Sequence, residues 1–293
     1  MLHLAIECSA LAGSVAVLRQ QTVIVQQALP PSVGSVQTLA PAVAELLALH
    51  RSGKQPPVEL ISVTHGPGSF TGLRGGLALA KMLGLAWKIP LVAVDTLHVM
   101  AAQTAHELTS RGQLTRNGLA QEREELAQGR LAEQTPAIVV SVLNAFRKQV
   151  FAGAWRIPID SPAEPAVNLI PVAQPQVLSA AEWQTQPLAA LVGPRGDHLS
   201  RSHLSSPGDN SSGRTASHFG LPVWISGAGL RNYTPHLDAD TTLADPTSWD
   251  ATAGWVGRLG WHSYLAGQAV SAAQLAPNYV RCSAAEETRA ARG

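Results

Sequence analysis

Residues 65–74 read His65-Gly66-Pro67-Gly68-Ser69-Phe70-Thr71-Gly72-Leu73-Arg74. The apolar run Leu60-Ile61-Ser62-Val63 enters this stretch, and an almost uncharged segment from Thr71 to Trp87 leaves it. Strand, glycine-rich turn and helix in that order place free backbone N–H groups at a helix N-terminus. Two readings follow. Gly66, Gly68, Ser69 and Thr71 are candidate contacts for a phosphate or other anion. Alternatively, the glycines serve a tight turn and Ser69 or Thr71 caps the helix, the commoner use of such residues. No Gly-Lys-Ser or Gly-Lys-Thr follows, so this is not a P-loop, and the glycine spacing also misses the dinucleotide fingerprint.

The helix launched by the turn carries its basic residues, Arg74, Lys81 and Lys88, seven apart on one stripe. Its remaining surface is apolar or small, so it must be covered on most sides. Periodicity cannot tell burial against the same chain from burial against a partner.

Upstream, Leu2–Ile6, Gly13–Leu18 and Thr22–Gln27 read as a three-strand meander. A helix follows from Ser35 to about His50, with Val36, Leu39, Val43, Leu46 and Leu47 at helical spacing and Pro41 predicting a kink. Downstream come a strand at Leu91–Val94 and a helix at Thr96–Glu107. Further on, Ala137–Leu143 and Gln149–Trp155 read as paired strands, Pro222–Ser226 as a strand, and Ala251–Leu265 as a helix with Trp255, Leu259 and His262 on one face. Alternation of this kind predicts α/β layers with mixed sheets. Residues 108–135 and 195–220 are polar and read as flexible insertions.

A chain of 293 residues, 45% hydrophobic and 14% charged, has ample material for a core. Its net charge of +1 gives no general pull toward nucleic acid or membrane. Two cysteines, Cys8 and Cys282, make neither a disulfide framework nor a zinc site. The first residues read as a strand rather than a leader, and no apolar run reaches the ~18 residues a membrane span needs. A cytoplasmic protein is expected.

Gly66 to Arg74 resembles the signature of the TsaB family, small actin-like partners of TsaD in bacterial N6-threonylcarbamoyladenosine synthesis. Leu4-Ala5-Ile6-Glu7 with Ser14-Val15-Ala16-Val17 is similar to that family's opening hairpin, although Asp is usual where Glu7 stands. Val94-Asp95-Thr96-Leu97, Ser226-Gly227-Ala228-Gly229 and Pro277-Asn278-Tyr279-Val280-Arg281 also fit, the last resembling a terminal Pro-x-Tyr-x-Arg. The sequence departs from the pattern at Asn144-Ala145-Phe146-Arg147-Lys148-Gln149-Val150-Phe151, where the family carries Asp-Ala-Arg and then Gly-Glu-Val-Tyr. Gly34-Ser35 replaces a usual Glu-His.

The resemblance implies an actin-like (ASKHA, ribonuclease H-like) α/β fold with two lobes of mixed sheets flanked by helices. The expected layout is an N-terminal lobe at 1–107, an insertion at 108–135, a second lobe at 136–247 containing the 195–220 insertion, and a C-terminal helix and tail at 248–293. It implies a non-catalytic scaffold for TsaD on tRNAs that decode ANN codons. The expected partner face holds Val36, Leu39 and Val43 on the first helix and Leu73, Leu77, Ala80, Leu83 and Gly84 on the second. A TsaD-like heterodimer is expected, with a TsaE-like ATPase as a further partner, a homodimer when TsaD is absent, and contact with tRNA only indirect. ATP, Mg²⁺ and metal are expected in the partners and none in this chain. TsaD-like proteins carry His-x-x-x-His, whereas His198 and His203 lie five apart and the other histidines are scattered. The alternative is an actin-like ATPase or phosphotransferase using Glu7, the one carboxylate on the first strand, with the 66–72 turn.

Overall fold

The computed structural model describes residues 1–10, 12–31, 35–48, 57–114, 136–158, 166–192, 221–238 and 241–280. Strands β1 (Leu2–Glu7), β2 (Ser14–Arg19) and β3 (Thr22–Ala28) are joined by short turns and pair antiparallel. Helix α1 (Ser35–Ala48) then crosses to β4 (Leu60–Gly66), which pairs parallel with β1, and α2 (Phe70–Trp87) crosses to β5 (Leu91–Asp95), parallel with β4. The first sheet therefore runs β3-β2-β1-β4-β5. Helix α1 continues through Pro41, which is exposed, so the Gln37 carbonyl it leaves unbonded sits at the solvent side.

After α3 (Thr96–Ser110), strands β6 (Ala137–Phe146), β7 (Gln149–Ile157) and β8 (Ile170–Ser179) form a second antiparallel meander. Short helices α4 (Ala180–Thr185) and α5 (Pro187–Val192) precede β9 (Val223–Ser226) and β10 (Thr241–Leu243), which extend the sheet in parallel on the β6 side. Its order, β8-β7-β6-β9-β10, repeats the topology of the first sheet. The molecule is thus two mixed sheets flanked by helices, the actin-like arrangement. The two long polar segments fall mainly outside the described residues, at 115–135 and 193–220.

Alternation along the strands sorts the core into layers. Leu4, Ile6, Val15, Val17, Ile61 and Val63 point to α1 and α2. Ala5, Ala16, Leu18 and Leu60 point the other way, into a central layer shared with α3 and with α6 (Ala253–Leu265). These two helices cross between the lobes: α3 packs on β6 and β7 of the second sheet, whereas α6 packs on β1, β2 and β4 of the first. Helix α6 approaches closely because Gly257 and Gly260 face Leu18 and Ser62, where a Cβ has no room. Its N-terminus is capped from far along the chain. Ser14 Oγ accepts from Ala253 N at 2.9 Å, and Gln26 Oε1 accepts from Gly254 N at 2.7 Å.

Candidate functional site

The Gly66–Arg74 turn is filled by the chain itself. Ser69 is the N-cap of α2, its hydroxyl accepting from Gly72 N at 3.2 Å, while Ser69 N donates to the Ser9 carbonyl at 2.7 Å. Gly72 lies so close to strand β1's exit that a Cβ would run into the Cys8 carbonyl, and a Cβ on Gly68 would meet Ser9 O at 2.5 Å. Ser69 N and Gly72 N are thus already taken, by the Ser9 carbonyl and the Ser69 hydroxyl, and Cys8 and Ser9 fill the space beside Gly72 and Gly68. Thr71 is exposed on the first turn of α2. From the other side the C-terminal segment crosses the turn: Asn278 N donates to the His65 carbonyl at 2.7 Å. Tyr279 stacks on Phe70 with ring centroids 5.8 Å apart, and Arg74 Nε donates to the Tyr279 hydroxyl at 3.0 Å. The two sequence signatures, 66–74 and 277–280, are therefore one structural unit; Arg281 lies outside the described residues.

Glu7 ends β1 at the floor of the same region and is fully buried. Its Oε1 accepts from Ser9 N at 2.7 Å and from the Ser9 hydroxyl, while its Oε2 has no hydrogen-bond partner among the described residues. Burial pushes its pKa up to about 7, against the opposing pull of the Ser9 bonds. Binding Mg²⁺ calls for an ionised carboxylate, so at neutral pH half of this group is in the wrong state. The Cys8 thiol beside it is pushed up to about 12 by burial and is no nucleophile. Among the described residues no group of three or more His, Cys, Asp or Glu is placed to hold a metal ion, and no helix is long and apolar enough to cross a membrane. His198 and His203 lie outside the described residues.

The raised Glu7 pKa has a testable consequence. Below about pH 4.5, folded and unfolded Glu7 are both protonated; as pH rises toward 7 only the unfolded chain releases the proton, so folding loses about 3 kcal/mol. Glu7→Gln stays neutral and keeps an acceptor for Ser9. Urea unfolding should show the variant gaining stability over the parent from pH 4.5 to 7 and holding that gain above it. Parallel curves would refute the assignment. The comparison isolates Glu7 from Asp95, raised to about 6, and from His3 and His98, lowered to about 4, all by burial.

Helix α2 has two faces of different fate. Leu73, Leu77, Ala80 and Gly84 are buried against the chain's own strands and α1, as are Leu39 and Val43 of α1; Leu83 is half-buried in the same cluster. Gly84 lets α2 close on Leu91, which a Cβ would meet at 2.8 Å. The side chain of Val36 lies outside what is described. The sequence-expected face is thus largely an internal seam. The outward stripe is instead Thr71, Arg74, Ala78, Met82 and Leu85, with Met82 60% and Leu85 68% exposed and Phe70, at 50%, heading it. Beside it, α1 turns out small residues, Ala40, Ala44 and Ala48. Met82 and Leu85, both more than half exposed, thus form an apolar patch on the helix face that the chain itself leaves unpacked. Periodicity could have found this stripe, at 78, 82 and 85, only with knowledge of which face the sheet takes.

Comparisons with known proteins bear on the same region. A family model described as TsaD, tRNA N6-adenosine threonylcarbamoyltransferase, matches residues 32–113. The tRNA threonylcarbamoyladenosine biosynthesis protein TsaB of Bacillus subtilis is 37% identical over 108 residues, 36% of this chain and 46% of that protein. TsaB of Escherichia coli is 34% identical over 98 residues, 33% of this chain and 42% of its own. The chain thus spans less than half the length of these curated relatives. Two solved structures from Pseudomonas aeruginosa align over nearly the whole fold. One is an uncharacterized protein with similarity to peptidase YEAZ, with TM-score 0.59 at 20% identity, covering 96% of this chain and 99% of that one. The other is YeaZ, with TM-score 0.57 at 21% identity, covering 95% and 99%.

Proposed function

We propose that this TsaB/YeaZ-like chain is a non-catalytic subunit that supports a TsaD-like transferase in the N6-threonylcarbamoyladenosine modification of tRNA. The observation that carries the reading is the outward stripe of α2, Ala78, Met82 and Leu85, on a helix whose other face is already packed. That helix lies inside the segment that resembles TsaD. Two more features support a scaffold over an enzyme. The Ser69 N–H of the turn is taken by the Ser9 carbonyl, and Glu7 is held about half protonated at neutral pH. The stripe pairs with the corresponding helices of the partner, bringing apolar side chains of both out of water. It also offers a second copy of this chain a place to bind when the partner is missing. A TsaE-like ATPase joins the assembly through the partner.

The test is reconstitution. Mixed with a TsaD-like protein, the chain should give a 1:1 complex by light scattering, and modification of a tRNA that reads ANN codons should rise when it is added. Modification at the same rate with and without the chain would sink the proposal.

A further inference from the structure

The hairpin between β6 and β7 is built against the preference of its own residues. Phe146, Arg147 and Lys148 stand consecutively at φ values of 60°, 50° and 58°, the left-handed region that non-glycine residues avoid. The strands pair up to Phe146 and Gln149, so Arg147 and Lys148 form a two-residue loop. Such loops with both residues left-handed favour Asn-Gly or Asp-Gly.

The conformation is held from both sides. Asn144 Oδ1 accepts from Phe146 N at 2.7 Å, and Asn144 Nδ2 donates to Asn232 Oδ1 at 3.1 Å. The Lys148 carbonyl accepts from Ala180 N at 2.8 Å, at the start of α4, whose Ser179–Glu182 capping box is complete. Core packing does not account for the choice of side chains: Phe146 is 65% exposed, and Arg147 and Lys148 are exposed. A local rule broken at a braced, solvent-facing position signals a function for the side chains it displays.

We propose that the Phe146-Arg147-Lys148 tip is a direct contact for single-stranded RNA. The ring offers a stacking face to an unpaired base, and the next two residues, Arg147 and Lys148, are exposed cations within reach of flanking phosphates. An acidic protein surface would use the cations but has no need of an exposed ring, and an apolar surface has no need of two adjacent cations. The proposal rests on the function above only in choosing RNA, and it adds a contact that the near-neutral net charge does not suggest.

The test is fluorescence anisotropy with the full chain and a labelled RNA hairpin carrying an unpaired loop, at about 50 mM salt and above. Phe146→Ala should weaken binding about tenfold and Phe146→Trp should restore it. Arg147→Asn with Lys148→Gly should lower the slope of log K against log salt by about one unit or more. The same pair should raise the melting temperature by about 2–4 °C, because the loop then suits its backbone. Loss of binding together with a gain in stability separates a functional tip from a structural one. No binding by the parent chain, or variants that bind as it does, would overturn the proposal. So would capture of labelled oligoglutamate in place of RNA, which would identify an acidic protein as the occupant. Complex formation with the TsaD-like protein is read separately, so either idea can fail alone.

Discussion

A chain carrying Met82→Arg with Leu85→Arg is expected to melt at the temperature of the parent and to bind the proposed TsaD-like partner about a thousandfold more weakly. Both side chains are more than half exposed, so arginine there disturbs no packing in the isolated chain. In a complex they would be covered. Each buried apolar side chain of this size is worth about 1.5–3 kcal/mol, and a guanidinium left without a counter-charge in the same place costs more. Losing about 4 kcal/mol across the two sites corresponds to about a thousandfold in Kd. Calorimetric titration gives the affinity and circular dichroism the melt; parental affinity in a folded variant would remove the stripe from the interface. Leu77→Arg is a poor probe by contrast. Leu77 is 3% exposed within the layer between α2 and the first sheet, and a charge there should unfold the chain rather than report on a partner.

Gly227→Ala should be more damaging than its single added methyl suggests. Gly227 follows β9 with φ 129°, outside the range of an L-residue. A Cβ there would run into the Val142 carbonyl and lie 2.5 Å from Met100 Cε and 2.8 Å from Val142 N. The substitution therefore has to shift β6, β9 or α3 at the joint where all three meet. A loss of about 4 kcal/mol or more is expected, a large part of the stability of an ordinary domain. Gly267→Ala is the control. Its φ is also positive, at 74°, but nothing lies within 4 Å, so only the backbone cost of about 1 kcal/mol applies. Urea midpoints that fall equally for both would show that crowding at Gly227 contributes nothing.

The first lobe was legible because its signals are local. Its strands are short apolar runs between turns, and Ser69 and Asp95 cap the helices they precede at 3.2 and 2.9 Å. The second lobe was legible only in part. Strand β8, Ile-Pro-Val-Ala-Gln-Pro-Gln-Val-Leu-Ser, holds two prolines and little alternation, and is tolerated because it is an edge strand. Strand β10 has three residues, too few for any pattern. For α6 the sequence pointed to Trp255, Leu259 and His262, whereas the sheet takes the face with Gly257 and Gly260. Hydrophobicity scales overlook glycine, and the groups that cap this helix, Ser14 and Gln26, lie more than two hundred residues away. The residues expected at a partner face lie largely inside the chain for a related reason. Leucine and valine mark where α1 and α2 meet their own sheet, and the outward set is a mixture of alanine, methionine and leucine that stands out only once the sheet is in place.

The crossing of α3 and α6 between the lobes also bears on how the chain is made. The face of the first sheet that carries Ala5, Ala16, Leu18 and Leu60 waits for α6, which is synthesised about 170 residues after β5 is complete. At about 5–20 residues per second, the part of that face that α3 leaves uncovered stays open for roughly ten to thirty seconds while the rest of the polypeptide emerges from the ribosome. A nascent chain of this design presents a sticky surface for the whole of that interval. It is a natural client for a ribosome-associated chaperone, and its yield should depend on the rate of elongation more than that of a protein whose layers close in the order they are translated.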